Sequence, residues 1–176
     1  MTKPLRVAVA GMGTMGRLYA GWMQQGRVPG AVFSAAYDPA SDCAARLQEG
    51  FPQAKFFSQS SELFHSGLAD AVIIASPHRF HPELGEQALR AGLHTMVEKP
   101  AGIDAASVRR MNAAAAEHPQ LAYGIMFNQR TNPLYRRIRE LVQSGEMGQL
   151  RRVTWLITTW WRPDSYYTHS PWRATW

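Results

Sequence analysis

Five short apolar runs, separated by stretches of helical spacing, organise the chain as far as Asn128. They are LRVAVAG (5–11), AVFSAAYD (31–38), ADAVIIASP (69–77), LHTMVEKP (93–100) and LAYGIMFN (121–128). Their apolar positions are mostly consecutive rather than alternating, the pattern of strands covered on both faces. Helical spacing fills the gaps. Residues 14–25 follow a Gly-rich turn, and 40–49 follow Asp38-Pro39. Residues 82–91 open on Pro82, which suits a first helical turn, and stop at Gly92. Residues 104–117 open on Asp104, a good N-cap, and stop before Pro119. The span 53–68 is less regular and reads as a short strand at 55–58 and a short helix from Ser60. Such alternation predicts an α/β fold, a doubly wound parallel sheet of Rossmann type with right-handed crossovers.

Beyond Asn128 the pattern changes. In NPLYRRIRELVQSGEMG, Asn132 caps a helix with Pro133 at its first position. Leu134, Ile138, Leu141 and Val142 form one apolar stripe, and Gly145 ends it. LRRVTWLITTWW (150–161) reads as a long strand, and the segment 162–176 has no clear period. There is no Gly/Ser linker and no internal repeat. The reading is a dinucleotide-binding domain over 1–127 and, over 128–176, the beginning of a second, α+β domain for substrate binding and oligomerisation.

Composition narrows the class. With 45% hydrophobic and 18% charged residues, the 176-residue chain can bury a sizeable core. No apolar run is long enough for a membrane span, and the N-terminus supplies a strand where a signal peptide would need an apolar stretch and a cleavage site. A single cysteine, Cys43, excludes an intrachain disulfide. A cytoplasmic protein with no membrane partner is expected. The net charge is +6, and arginines at 130, 136, 137, 139, 151 and 152 concentrate it. A basic stretch of this kind serves nucleic acid, a solvated helix face, or a surface that meets an acidic segment. No helix-turn-helix, zinc-finger or RNA-binding signature accompanies it, so no nucleic-acid partner is expected. Five of the six tryptophans, Trp155, Trp160, Trp161, Trp172 and Trp176, crowd the end of the chain. That much aromatic surface calls for a partner: the chain itself, a second chain, or a continuation.

The chemistry starts at VAVAGMGTMG, where Gly11, Met12, Gly13, Thr14, Met15 and Gly16 follow the first strand and open a helix. Gly11 permits the tight turn, Gly13 lets a pyrophosphate approach the backbone, and Gly16 lets helix and strand pack closely. The helix N-terminus offers N–H groups and a positive dipole end to phosphate. Asp38 ends the second strand, at the distance from the glycines that a dinucleotide fingerprint requires. A carboxylate there accepts hydrogen bonds from the adenosine ribose hydroxyls and repels a 2′-phosphate, which favours NAD over NADP. The alternative is a turn that binds no nucleotide, with Asp38 capping the next helix.

VEKPAG places Glu98, Lys99 and Pro100 at the C-terminal edge of a predicted buried strand, where open α/β sheets bind ligands. A lysine there can hydrogen-bond a substrate hydroxyl and stabilise oxyanion character as hydride departs. The alternative is a Glu–Lys surface pair. A tight exit from a strand also suits a cis bond at Pro100. In ASPHRFHPEL, Ser76 and Pro77 end a strand and His81 precedes a helix. His78 and His81 have no third ligand at metal spacing, so no metal site is expected. Pro77 is expected to shape the loop beneath the nicotinamide ribose, and His81 to cap or pack.

Together VAVAGMGTMG, YDP, ASPHRFHPE, AGLHTMVEKPAG and NPLYRRIRELVQSGEMGQLRRVTW, in this order over residues 5–160, resemble the Gfo/Idh/MocA family of oxidoreductases. The resemblance implies an NAD(P)-dependent dehydrogenase that transfers hydride between a nicotinamide cofactor and a secondary hydroxyl of a sugar or cyclic polyol. It implies a homo-oligomer. The glycines would hold the pyrophosphate and Asp38 the ribose. Ser76, Pro77 and His81 would border the nicotinamide half, with Glu98 near the nicotinamide ribose. Lys99 would touch both cofactor and substrate, and Asn128 and Arg130 would lie near the substrate cleft. The family's chains are about twice this length, and their catalytic His lies in a GGxxxDxxxH-like segment. No such segment occurs here, and His169 in YTHSPW lacks its glycines and following Asp. The expectation is therefore the first half of such an enzyme. The alternative is a dinucleotide-binding module, or an inactive fragment without its catalytic half.

Overall fold

The computed structural model describes residues 3–158 and 161–168. Its contacts divide the chain into two compact units, Met1–Phe127 and Asn128–Trp176.

The first unit is a parallel six-stranded sheet with helices on both faces. Its strands are β1 (Leu5–Ala10), β2 (Ala31–Tyr37), β3 (Lys55–Phe57), β4 (Ala71–Ile74), β5 (His94–Glu98) and β6 (Tyr123–Met126). Their order in space is β3-β2-β1-β4-β5-β6, and every neighbouring pair is parallel. The order reverses between β1 and β4, which opens a crevice at the carboxyl ends of those strands. The expected short strand at 55–58 forms as edge strand β3.

Alternation along β1 explains the two-sided core. Ala8 and Ala10 face one apolar cluster, and Val7 and Val9 face the other. The helices α1 (Thr14–Gln24) and α2 (Ser41–Gly50) supply Ala20, Met23 and Leu47 to the cluster on the Val7 side. On the Ala8 side lie α3 (Ser60–Phe64), α4 (His81–Arg90) and α5 (Ala105–Glu117), which contribute Leu63, Phe64, Leu84, Leu89 and Met111. Asp104 caps α5 as expected, its carboxylate accepting from the Ser107 N–H at 2.8 Å.

The five strands expected from apolar runs all end before those runs do, and β4, β5 and β6 stop two or three residues short. At the start of the 69–77 run, Asp70 turns to Arg6, accepting from its main-chain N–H at 2.9 Å and from its guanidinium at 2.6 Å. At the end of that run, Ser76 and Pro77 leave the ladder for a 3₁₀ turn, His78–Phe80, because proline has no N–H to pair. The cis Lys99–Pro100 bond follows β5, and a second 3₁₀ turn, Asn128–Thr131, follows β6.

The second unit holds that turn, α6 (Pro133–Gln143) and α7 (Asp164–Thr168). Asn132 caps α6, accepting from the Leu134 N–H at 2.9 Å. The expected strand at 150–161 is not found: residues 150–158 form no ladder, and Trp160 lies outside the described residues, as do His169, Trp172 and Trp176. A strand exists only by pairing its N–H and C=O groups with a neighbour, and the described part of this unit supplies none. The apolar side chains remain open, with Val153 79% and Leu156 82% exposed. Trp155 instead meets Tyr135 of α6, ring centres 5.7 Å apart.

Candidate functional site

The Gly-rich turn follows directly from β1. Gly11 has φ +97°, and a Cβ there would stand 2.5 Å from the Ser76 main-chain nitrogen. Only glycine relieves both the conformation and the crowding. A Cβ on Gly16 would collide with the Gly11 carbonyl, so α1 packs closely on the turn. Gly13 differs: a Cβ there meets nothing within 4 Å. It is the N-cap of α1, with no side-chain cap and no acidic residue in the first turn. Thr14 and Met15 of this helix end are exposed, while Met12 is buried. An anion fits there.

Asp38 lies immediately beyond β2. Its Oδ2 accepts from the Met12 N–H at 2.8 Å, and its Oδ1 accepts from the Ala40 N–H at 3.0 Å. Asp38 does not cap α2, whose N-cap is Ala40 with no side-chain cap hydrogen bond; the carboxylate instead ties the Gly-rich turn to the residues that lead into that helix. Carboxylate oxygens retain further lone pairs for ribose hydroxyls. Arg17 adds a guanidinium beside the turn, donating to the Met12 carbonyl at 3.0 Å.

Glu98 ends β5 with 7% exposure, so its carboxylate needs partners. Its Oε1 accepts from the Tyr19 hydroxyl of α1, and its Oε2 accepts from the Lys99 N–H at 2.9 Å. Burial, and then this hydrogen bond to Glu98, push the Tyr19 phenol well above the ordinary tyrosine range. It therefore acts as a donor. Lys99 itself is exposed at the strand end.

His81 is the first residue of α4 and is fully buried. Its Nδ1 lies 2.7 Å from the Pro100 carbonyl oxygen and its Nε2 lies 2.7 Å from the Ser76 carbonyl oxygen. It packs, as expected, and it joins the backbone leaving β4 to the backbone leaving β5. Any influence on a ligand passes through those carbonyls. The Ser76 hydroxyl is buried without a partner among the described residues, an open polar group beside the Gly-rich turn. Pro77 starts the 3₁₀ turn, its carbonyl accepting from the Phe80 N–H at 2.9 Å.

The first unit thus brings together Gly11–Gly16, Asp38, Ser76, Pro77, His81, Glu98 and Lys99 around the carboxyl ends of β1, β2, β4 and β5. Asn128 and Arg130 lie on the 3₁₀ turn that opens the second unit. Among the described residues no group of three His, Cys, Asp or Glu side chains is placed to hold a metal. Nor is any helix long and apolar enough to cross a membrane. Tyr19 and Arg17 were not singled out by sequence reasoning. Tyr19 falls on the buried stripe of α1 with Gly16, Ala20 and Met23, and that period marks packing rather than a hydrogen bond.

Comparison with known proteins agrees with this fold. The oxidoreductase family with NAD-binding Rossmann fold, Gfo/Idh/MocA, matches residues 5–125. An inositol 2-dehydrogenase of Corynebacterium glutamicum is 35% identical over 150 residues, covering 85% of this chain and 44% of that protein. One from Leifsonia xyli is 33% identical over 151 residues, covering 85% and 43%. In structure the chain is similar to a scyllo-inositol dehydrogenase from Lactobacillus casei solved with NAD(H) and scyllo-inositol. The TM-score is 0.78 at 27% identity, covering 83% of this chain and 43% of that one. The chain therefore spans under half the length of these relatives. It belongs to the Gfo/Idh/MocA family of oxidoreductases, with that family's NAD-binding Rossmann fold.

Proposed function

We propose that the chain binds a nicotinamide dinucleotide, NAD in preference to NADP, and serves hydride transfer with a secondary hydroxyl of a sugar or cyclic polyol, inositols foremost. One observation carries this reading. The uncapped N-terminus of α1, the Asp38 carboxylate and Lys99 all lie at the carboxyl ends of the sheet's strands. When bound, the cofactor supplies the centre that accepts or donates hydride. The N–H groups at Gly13 and beyond hold its pyrophosphate, Asp38 holds the adenosine ribose, and Ser76 and Pro77 border its nicotinamide half. Lys99 donates a hydrogen bond to the substrate oxygen and stabilises the charge that develops there. Asn128 and Arg130 are proposed to contact substrate, and the second unit to begin the domain for substrate binding and oligomerisation. The inositol dehydrogenases among the relatives support the polyol class.

The test is polyol-dependent reduction of NAD⁺, followed by NADH absorbance with myo-inositol and scyllo-inositol. Polyol-dependent NADH formation that Lys99→Met lowers by about 10²-fold or more is expected, with NADH affinity kept within a few-fold. No saturable NADH binding, or a Lys99→Met chain as active as the original, contradicts the proposal, whereas NADH binding with no reduction of NAD⁺ by either polyol favours the dinucleotide-binding module instead.

A further inference from the structure

Hydrogen bonds, backbone and packing contacts of the candidate site together close a circuit. The main chain at Gly11 lies against Ser76. The Ser76 carbonyl meets His81 Nε2 at 2.7 Å, and His81 Nδ1 meets the Pro100 carbonyl at 2.7 Å. Pro100 is bonded to Lys99, whose N–H donates to Glu98 Oε2 at 2.9 Å. Glu98 Oε1 accepts from the Tyr19 hydroxyl. Tyr19 lies one helical turn beyond Gly16 on α1, and Gly16 packs on the carbonyl of Gly11, where the circuit began.

From this circuit we infer that Tyr19 is a positioning residue for Lys99, acting through Glu98. The inference rests on the proposed role of Lys99 and extends it to a residue that touches neither substrate nor cofactor. Tyr19 is 8% exposed and Glu98 is 7% exposed, so neither partner exchanges readily with water. A buried carboxylate with both oxygens engaged has one orientation. That orientation fixes the Lys99 N–H, and with it the base of the lysine side chain. Removing the phenol oxygen leaves Glu98 Oε1 without its donor in a dry site. The carboxylate then turns to find another donor and releases the Lys99 N–H. Because Tyr19 stands on the helix whose N-terminus would hold the pyrophosphate, the circuit joins cofactor binding to the lysine.

The chain has three lysines, Lys3, Lys55 and Lys99, so ¹⁵N-lysine labelling gives three amide signals, with Lys99 identified by Lys99→Arg. Amide hydrogen exchange at Lys99 is compared in the original chain, Tyr19→Phe and Glu98→Gln, while core-strand amides are followed in uniformly labelled protein. The expected result is a protected Lys99 amide that exchanges about tenfold faster in both variants, with core amides still protected. Local release of Lys99 gives this pattern, whereas general destabilisation would carry the core amides with it. If Tyr19→Phe fails to fold, Glu98→Gln decides. A Lys99 amide that exchanges at the free-peptide rate in the original chain, or unchanged exchange in a folded variant, overturns the inference. NADH is then added: slower Lys99 exchange in the original chain and a smaller effect in Tyr19→Phe are expected. No response of any amide to NADH would contradict the cofactor reading and leave the exchange comparison standing.

Discussion

The N–H of Met12 donates to Asp38 Oδ2 at 2.8 Å, so the Gly-rich turn and the acidic end of β2 are held as one piece. Under the proposed function, this carboxylate meets the ribose hydroxyls and disfavours a 2′-phosphate. Asp38→Ala is expected to weaken NADH binding by about 10- to 100-fold, the range for losing charge-assisted hydrogen bonds. It is also expected to narrow the preference for NADH over NADPH. Parallel fluorescence titrations with the two cofactors measure both effects. Equal losses for the two would contradict the role given to Asp38.

Gly11→Ala tests the turn itself. At φ +97° an added methyl is strained, and it would stand 2.5 Å from the Ser76 nitrogen. A loss of about 2 kcal/mol or more is expected in urea unfolding. A loss below roughly 0.5 kcal/mol would mean that the turn relaxes freely.

How much of this was legible in the sequence follows the physics of each element. The strands and most helices were readable because burial on both faces and helical amphipathicity leave strong periods. The Gly-rich turn was readable because backbone crowding admits no substitute at Gly11. The cis bond at Pro100 and the packed His81 also matched expectation. Tyr19 was not legible, because a hydroxyl on a buried stripe becomes meaningful only once β5 brings Glu98 beside it. The strand expected at 150–161 shows the converse limit. Val153, Trp155, Leu156 and Ile157 have strand character, but pairing is a property of two segments and is not encoded in one.

Asp70 gives a pH dependence. Hydrogen bonds from the Arg6 side chain, then from its main-chain N–H, lower the Asp70 carboxyl from 3.8 to about 2. A depressed folded-state value means the contribution is complete above about pH 4 and fades as pH falls toward 2. The pair is partly exposed, so solvent screening limits it to about 1 kcal/mol or less. Asp70→Asn should lower the urea midpoint at pH 7, and the gap to the original chain should close between about pH 4 and 2. A gap that is constant across that interval would contradict the assignment.

The second unit leaves much apolar surface uncovered. On α6, Leu134 is 63% and Ile138 is 45% exposed, and the chain beyond it leaves Val153 and Leu156 open as well. Surface of this kind drives association. Static light scattering of the chain should show mass rising with concentration, and Leu134→Glu with Ile138→Glu should reduce it. A monodisperse monomer at every concentration would contradict this.

The account stands on cofactor binding at the turn, and Gly13 isolates that step. Its φ of −67° suits any residue, and an added Cβ meets no protein atom within 4 Å. Gly13→Val should therefore leave the fold intact while filling the space where a pyrophosphate would approach. The decisive measurement is NADH titration by fluorescence of the original chain and Gly13→Val, with circular dichroism to confirm that both are folded. Saturable binding that Gly13→Val weakens about tenfold or more is the predicted result. No saturable binding by the original chain, or equal binding by the two, would contradict it.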